Sequence, residues 1–100
     1  MKLALYQAPP TDGDEDAALE RIARALAAAG QAGAAHLVCP ELMLPGYNRA
    51  DLHPQRGQPR GGSWHDRLSA LCHGARCGLS VGWAERDGDR VFNAATCFDA

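Results

Sequence analysis

At 100 residues and 10.6 kDa, with 46% hydrophobic and 22% charged residues, the chain has the composition of one ordinary globular domain, which excludes a disordered or fibrous segment. A formal net charge of -2, a pI near 6.0 and nine arginines scattered without aromatic interleaving provide no basic surface, so nucleic acid is not an expected partner. The apolar runs fall far short of a membrane span, and Met1 to Gln7 leads straight into a strand pattern without a signal peptide's apolar core; no membrane partner is expected, and the cytoplasm is the expected location, with the four cysteines as reduced thiols.

In chain order, Lys2 to Gln7 carries Leu3, Ala4, Leu5 and Tyr6 and predicts a first strand, closed by Pro9-Pro10 and the turn formers Thr11, Asp12 and Gly13. A helix follows over Asp14 to Ala29. Its acidic start suits the positive end of the helix dipole, Leu19, Ile22, Leu26 and Ala29 recur at helical spacing, and Gly30 or Gly33 can end it. Leu37 to Cys39 is a short apolar run of the kind a buried parallel strand uses, joined to the first by a right-handed crossover.

Pro40 cannot donate to a sheet ladder, so regular pairing is expected to stop there, and Glu41 then stands just past the strand's C-terminal end. In open α/β sheets that edge is where ligands bind. Leu42, Met43 and Leu44 are expected to desolvate the carboxylate, favouring a group that takes and returns a proton near neutral pH. Pro45-Gly46 turns the chain, and Tyr47 and Asn48 supply polar groups close by. On these features alone, a Glu at a strand end is more often a solvated or salt-bridged loop residue.

Arg49 to Gly62 reads as a long loop without periodicity, able either to shape a pocket over Glu41 or to be a surface excursion. Ser63 and Asp66 resemble a capping box, opening a second helix with the stripe Leu68, Leu71, Cys72 and Ala75, running to Cys77 and stopped by Gly78; Gly74 weakens it by roughly 1 kcal/mol. Leu79 to Ala84 alternates large and small residues as a third strand, Asp87-Gly88 signals a hairpin, and Val91 to Phe98 is the fourth strand. Strand, helix, strand, helix, hairpin is an α/β order. Cys72, His73 and Cys77 do not make a metal site, because Cys-x4-Cys is not a usual zinc spacing and adjacent helical residues point apart.

The run Leu37-Val38-Cys39-Pro40-Glu41, the apolar residues after it and Gly46-Tyr47 resemble the first catalytic segment of the nitrilase, or carbon-nitrogen hydrolase, superfamily. Tyr6-Gln7, Gly82 to Gly88 and the Asn-containing strand Val91 to Ala95 are similar to that family in the same order. The resemblance implies a layered αββα sandwich and a Glu-Lys-Cys mechanism on a small amide or nitrile, with Glu41 as general base, Tyr47 as a substrate-binding residue, no cofactor or metal, and a homo-oligomer when full length. His36 departs from the family, standing where an acidic or small residue is commoner. The single lysine, Lys2, lies at the wrong end to complete the triad, and Cys97-Phe98-Asp99, though it reads like a nucleophile segment, follows Glu41 with no lysine between. Residues 1 to 100 are therefore expected to be the first part of a catalytic domain, inactive alone. A non-catalytic α/β interaction module is the alternative. A flavodoxin-like nucleotide binder ranks last, because no Gly-rich phosphate loop follows Leu5 or Val38.

Overall fold

The computed structural model describes residues 1–100 and contains one four-stranded sheet in the order β1-β2-β3-β4. Strands β1 (Leu3–Leu5), β2 (His36–Val38) and β3 (Gly78–Asp87) run parallel, and β4 (Arg90–Phe98) returns antiparallel to β3. Helix α1 (Glu15–Gln31) connects β1 to β2, and α3 (Ser63–Ala75) precedes β3. Each strand lies beside its predecessor, so two right-handed crossovers step across the sheet in one direction and leave both helices on one face. There they touch: a Cβ on Gly30 of α1 would collide with the Ala75 carbonyl of α3. The flavodoxin-like alternative, a doubly wound sheet that needs helices on opposite faces, is excluded.

The core lies between that helix layer and the sheet. Ala18, Leu19, Ile22, Leu26 and Ala29 of α1 and Trp64, Leu68 and Cys72 of α3 pack on Leu37, Leu79, Val81, Trp83 and Phe98. On β3 the large residues Leu79, Val81 and Trp83 face the helices, while Ser80, Gly82 and Ala84 face the other way, as strand alternation requires. Trp83 satisfies its indole N–H on Thr96 Oγ1 at 2.8 Å. The helix-free face carries Leu3 and Leu5, both exposed, with Val38, Val91 and Ala95.

Several local expectations are corrected. Asp14 is the N-cap of α1 and not its first residue, accepting from the Ala17 N–H at 3.0 Å, and the helix runs on through Gly30 to Gln31. The Ser63–Asp66 box does not form: Gly62 is the N-cap, and Ser63 is the first helical residue, its hydroxyl bonded to Gln58 Oε1. Helix α3 ends at Ala75, because Arg76 turns left-handed (φ 52°), before Gly78 is reached. The hairpin turn is Gly88–Asp89, since Asp87 still pairs with Arg90.

The stretch from Arg49 to Gly62 is less irregular than expected, with a 3-10 turn (Ala50–Leu52) and a four-residue helix α2 (His53–Arg56). Gln58 then bonds alongside β3, through Gln58 N–H to Ala84 O at 3.0 Å and Arg86 N–H to Gln58 O at 2.8 Å. No helix is long and apolar enough to cross a membrane.

Candidate active site

Strand β2 leaves the sheet early. After Val38, the Cys39 N–H still bonds to Ser80 O at 2.8 Å and the Pro40 carbonyl accepts from Gly82 N–H at 3.2 Å, so Pro40 keeps its acceptor while lacking a donor. Glu41, Leu42 and Met43 then form a turn, and Leu44 rejoins β3 beside Trp83, its carbonyl accepting from Ala84 N–H at 2.9 Å. Leu42 at the crest is left-handed (φ 48°), a conformation that costs a branched residue on the order of 1–3 kcal/mol and is held by the bonds on either side.

The crest lies against Gly82. A Cβ there would stand 2.5 Å from Leu42 N and 2.7 Å from Glu41 Cα, so only glycine admits the Glu41 backbone this close to β3. Glu41 therefore projects on the helix-free face, and its Oε1 accepts a hydrogen bond from Asn93 Nδ2 of β4. This overturns the expected desolvation. Met43 and Leu44 are buried in the core, and Glu41 itself is exposed. No cation of the chain pairs with it.

An open cleft of about 400 Å³ is lined by Ala8, Pro9, Pro10, Thr11, Pro40, Glu41, Met43, Gly46 and Tyr47. The structure thus brings Glu41 and Tyr47 to one cleft at the C-terminal ends of β1 and β2, with Tyr47 65% exposed. Residues 49–62 do not roof it. They brace it from behind: His53 Nε2 bonds to Gly46 O at 2.8 Å and Arg56 donates to Gly13 O at 2.7 Å, while Asn48, just before them, donates to Asp12 Oδ1. The far wall, Ala8 to Thr11, reads in the sequence only as turn formers; it reaches the site because β1 and β2 are neighbours and parallel. A second open space, about 410 Å³, adjoins Glu41 on the helix-free face between Val38, Ser80, Gly82, Asn93 and Ala95.

The remaining candidates stay apart. Lys2 lies at the opposite, N-terminal end of the parallel strands, its Nζ donating to Ala32 O at 2.6 Å. Burial pushes the Cys39 thiol up to about 12, with the Cys72 thiol adding to the shift, so Cys39 is not a thiolate nucleophile near neutral pH. Cys97 is exposed and bonded to Ser80 Oγ at 3.1 Å, which in turn is bonded to His36 Nε2 at 2.8 Å. Cys97 lies four positions along β4 from Asn93, roughly 13 Å, beyond reach of the Glu41 carboxylate. No three His, Cys, Asp or Glu side chains converge on a metal-sized site.

The carbon-nitrogen hydrolase family model matches residues 2–100. The chain belongs to the carbon-nitrogen hydrolase family. A hydrolase encoded in the pqqF 5′ region of Pseudomonas protegens is 31% identical over 102 aligned positions, covering 100% of this chain and 35% of that protein. The crystal structure of an amidase from Nesterenkonia sp. superposes with a TM-score of 0.87 at 25% identity, covering 99% of this chain and 38% of that one. A glutamine-dependent NAD(+) synthetase from Cytophaga hutchinsonii shares the fold, with a TM-score of 0.69 at 19% identity over 97% of this chain and 17% of its own. The chain thus spans little more than a third of the length of the hydrolase and the amidase, and the αββα fold of this family is the one to which its sheet and helix layer belong.

Proposed function

We propose that this carbon-nitrogen hydrolase chain supplies the general-base segment of an enzyme that cleaves a small non-peptide amide, with a nitrile as the second candidate substrate. The observation that carries this reading is the placement of Glu41: lifted off the end of β2 over Gly82, held by Asn93, and opening on a cleft it shares with Tyr47. In this reading Glu41 takes the proton of a cysteine thiol. The thiolate attacks the amide carbon, a lysine steadies the tetrahedral oxyanion, and Glu41 returns the proton to the leaving amine before water releases the acyl group. Tyr47 contacts the substrate at the cleft's outer wall. An amide is preferred because the Nesterenkonia sp. structure that superposes on this chain with a TM-score of 0.87 at 25% identity is an amidase. The lysine and cysteine belong to sequence beyond the residues described, so the chain alone is expected to be inactive.

The test is Glu41→Gln in the full-length protein, assayed by ammonia release from a panel of short aliphatic amides and nitriles. Gln keeps the size and can still meet Asn93, but it cannot accept the proton. Turnover is expected to fall ~10²- to 10⁴-fold at unchanged melting temperature. Retention within about threefold rejects the base assignment, since loss of a true base exceeds that. The second reading, a non-catalytic module, is favoured by the exposed Leu3 and Leu5 of the helix-free face, which suit a docking surface. Genomic DNA past Ala100 separates the two: an in-frame Lys followed by a Cys-aromatic-acidic segment supports the enzyme, and a stop codon supports the module.

A further inference from the structure

Glu41 has one side-chain partner in the whole chain, and it comes from far away in the sequence. Asn93 stands on β4 opposite Ala84 of β3, on the helix-free face. From that position its amide N–H crosses the sheet to Glu41 Oε1. The residues between are Gly82, Ala84 and Ala95, none of which carries a polar side chain, so no other group of the hairpin reaches the carboxylate. Gly82 sets how close the Glu41 backbone comes; Asn93 sets where its carboxylate points.

The kind of donor matters. A lysine or arginine in the same place would set a full charge against the carboxylate, whereas a neutral amide orients it through a hydrogen bond alone. Occupying Oε1 leaves Oε2 and its lone pairs free for the travelling proton. We propose that Asn93 is the positioning residue of the base, holding Glu41 by Oε1 so that Oε2 meets the nucleophile's proton. This rests on the reading of Glu41 as general base. Asn93 itself touches no reacting atom. A purely structural clip between the β2 turn and the hairpin would use the same bond, so the test must separate the two roles.

Other charged or titratable groups on this face are Arg86, two positions along β3 from Ala84, and the His36–Ser80–Cys97 row at the other end; no hydrogen bond or ion pair joins any of them to Glu41 or Asn93. In the full-length protein, with short aliphatic amides as substrates, Asn93→Ala is expected to lower kcat by ~10- to 100-fold, with KM within about twofold and the melting temperature unchanged. Asn93→Asp keeps the shape but sets carboxyl against carboxyl. It preserves the bond only while the pair shares a proton, so its kcat should fall with rising pH through a step absent from the wild-type profile.

The proposal is overturned if Asn93→Ala keeps kcat within threefold while Glu41→Gln is inactive, or if Asn93→Asp follows the wild-type pH profile. It is equally overturned if Asn93→Ala loses melting temperature and raises KM in step with kcat, which marks a structural clip. Should Glu41→Gln itself remain active, the base reading fails, and the positioning role falls with it. Those two failures are read from different variants, so they stay distinguishable.

Discussion

Gly82→Ala perturbs the seat of Glu41 without touching a polar group. The added Cβ would lie 2.5 Å from Leu42 N, 2.7 Å from Glu41 Cα and 2.9 Å from Glu41 C, all of them backbone atoms with no rotamer by which to retreat. Restoring the tightest of these to an ordinary 3.4 Å contact displaces the crest of the turn by about 0.9 Å. Overpacking of this kind costs roughly 1–3 kcal/mol of stability. On the proposed base role of Glu41 the larger effect falls on rate, because misplacing a catalytic group by about 1 Å costs on the order of 10²-fold. Steady-state kinetics of the full-length protein on short amides, beside a thermal melt, reads both quantities. The expected outcome is a folded protein with kcat down about 10²-fold. A Gly82→Ala enzyme within threefold of wild type would show that the Glu41 turn does not need its present height above β3, and the geometric account of the site would fail.

Further expectations concern the rest of the chain. Gly74 lies in α3 with open space where a Cβ would go, so Gly74→Ala should stabilise the protein by roughly 0.5–1 kcal/mol in denaturant unfolding and leave kcat unchanged. Burial pushes Cys39 up to about 12 and Cys72 up to about 11 from an ordinary 9.0. The stabilisation that comes from keeping these thiols neutral is therefore complete below about pH 9 and is lost as the pH rises towards 11 and 12. The melting temperature should fall across that window, and a Cys39→Ala, Cys72→Ala double variant should fall less steeply; identical slopes would contradict this. Under native conditions Cys97, the exposed thiol, should react with iodoacetamide well before the three buried ones, as peptide mapping would show. The 100-residue chain alone should bind a hydrophobic dye or self-associate, because Leu3 and Leu5 are exposed on a helix-free face and β1 is an unpaired edge. A monodisperse, cooperatively melting monomer would count against that.

The elements and their order are legible in the amino-acid pattern alone. Leu19, Ile22, Leu26 and Ala29 at helical spacing, and Leu79, Val81 and Trp83 at strand spacing, mark faces that must be buried, and local periodicity carries that information whatever the partner. Right-handed crossovers then place both helices on one face, and Pro40 places Glu41 past a strand end. The surroundings of Glu41 depend on long-range packing that no local pattern encodes. Its apolar neighbours in sequence predict a desolvated carboxylate, yet Met43 and Leu44 turn into the core while the left-handed Leu42 swings Glu41 to the opposite face. The residue that holds it, Asn93, lies 52 positions away and is brought there by the register of β3 with β4. The stretch Arg49 to Gly62 shows no periodicity because its turns are anchored by Gly13, Gly46 and β3 and bury no face of their own. A side chain's sequence neighbours set its propensity; which face it occupies and which donor meets it depend on strand register and on where a glycine lets two backbones approach.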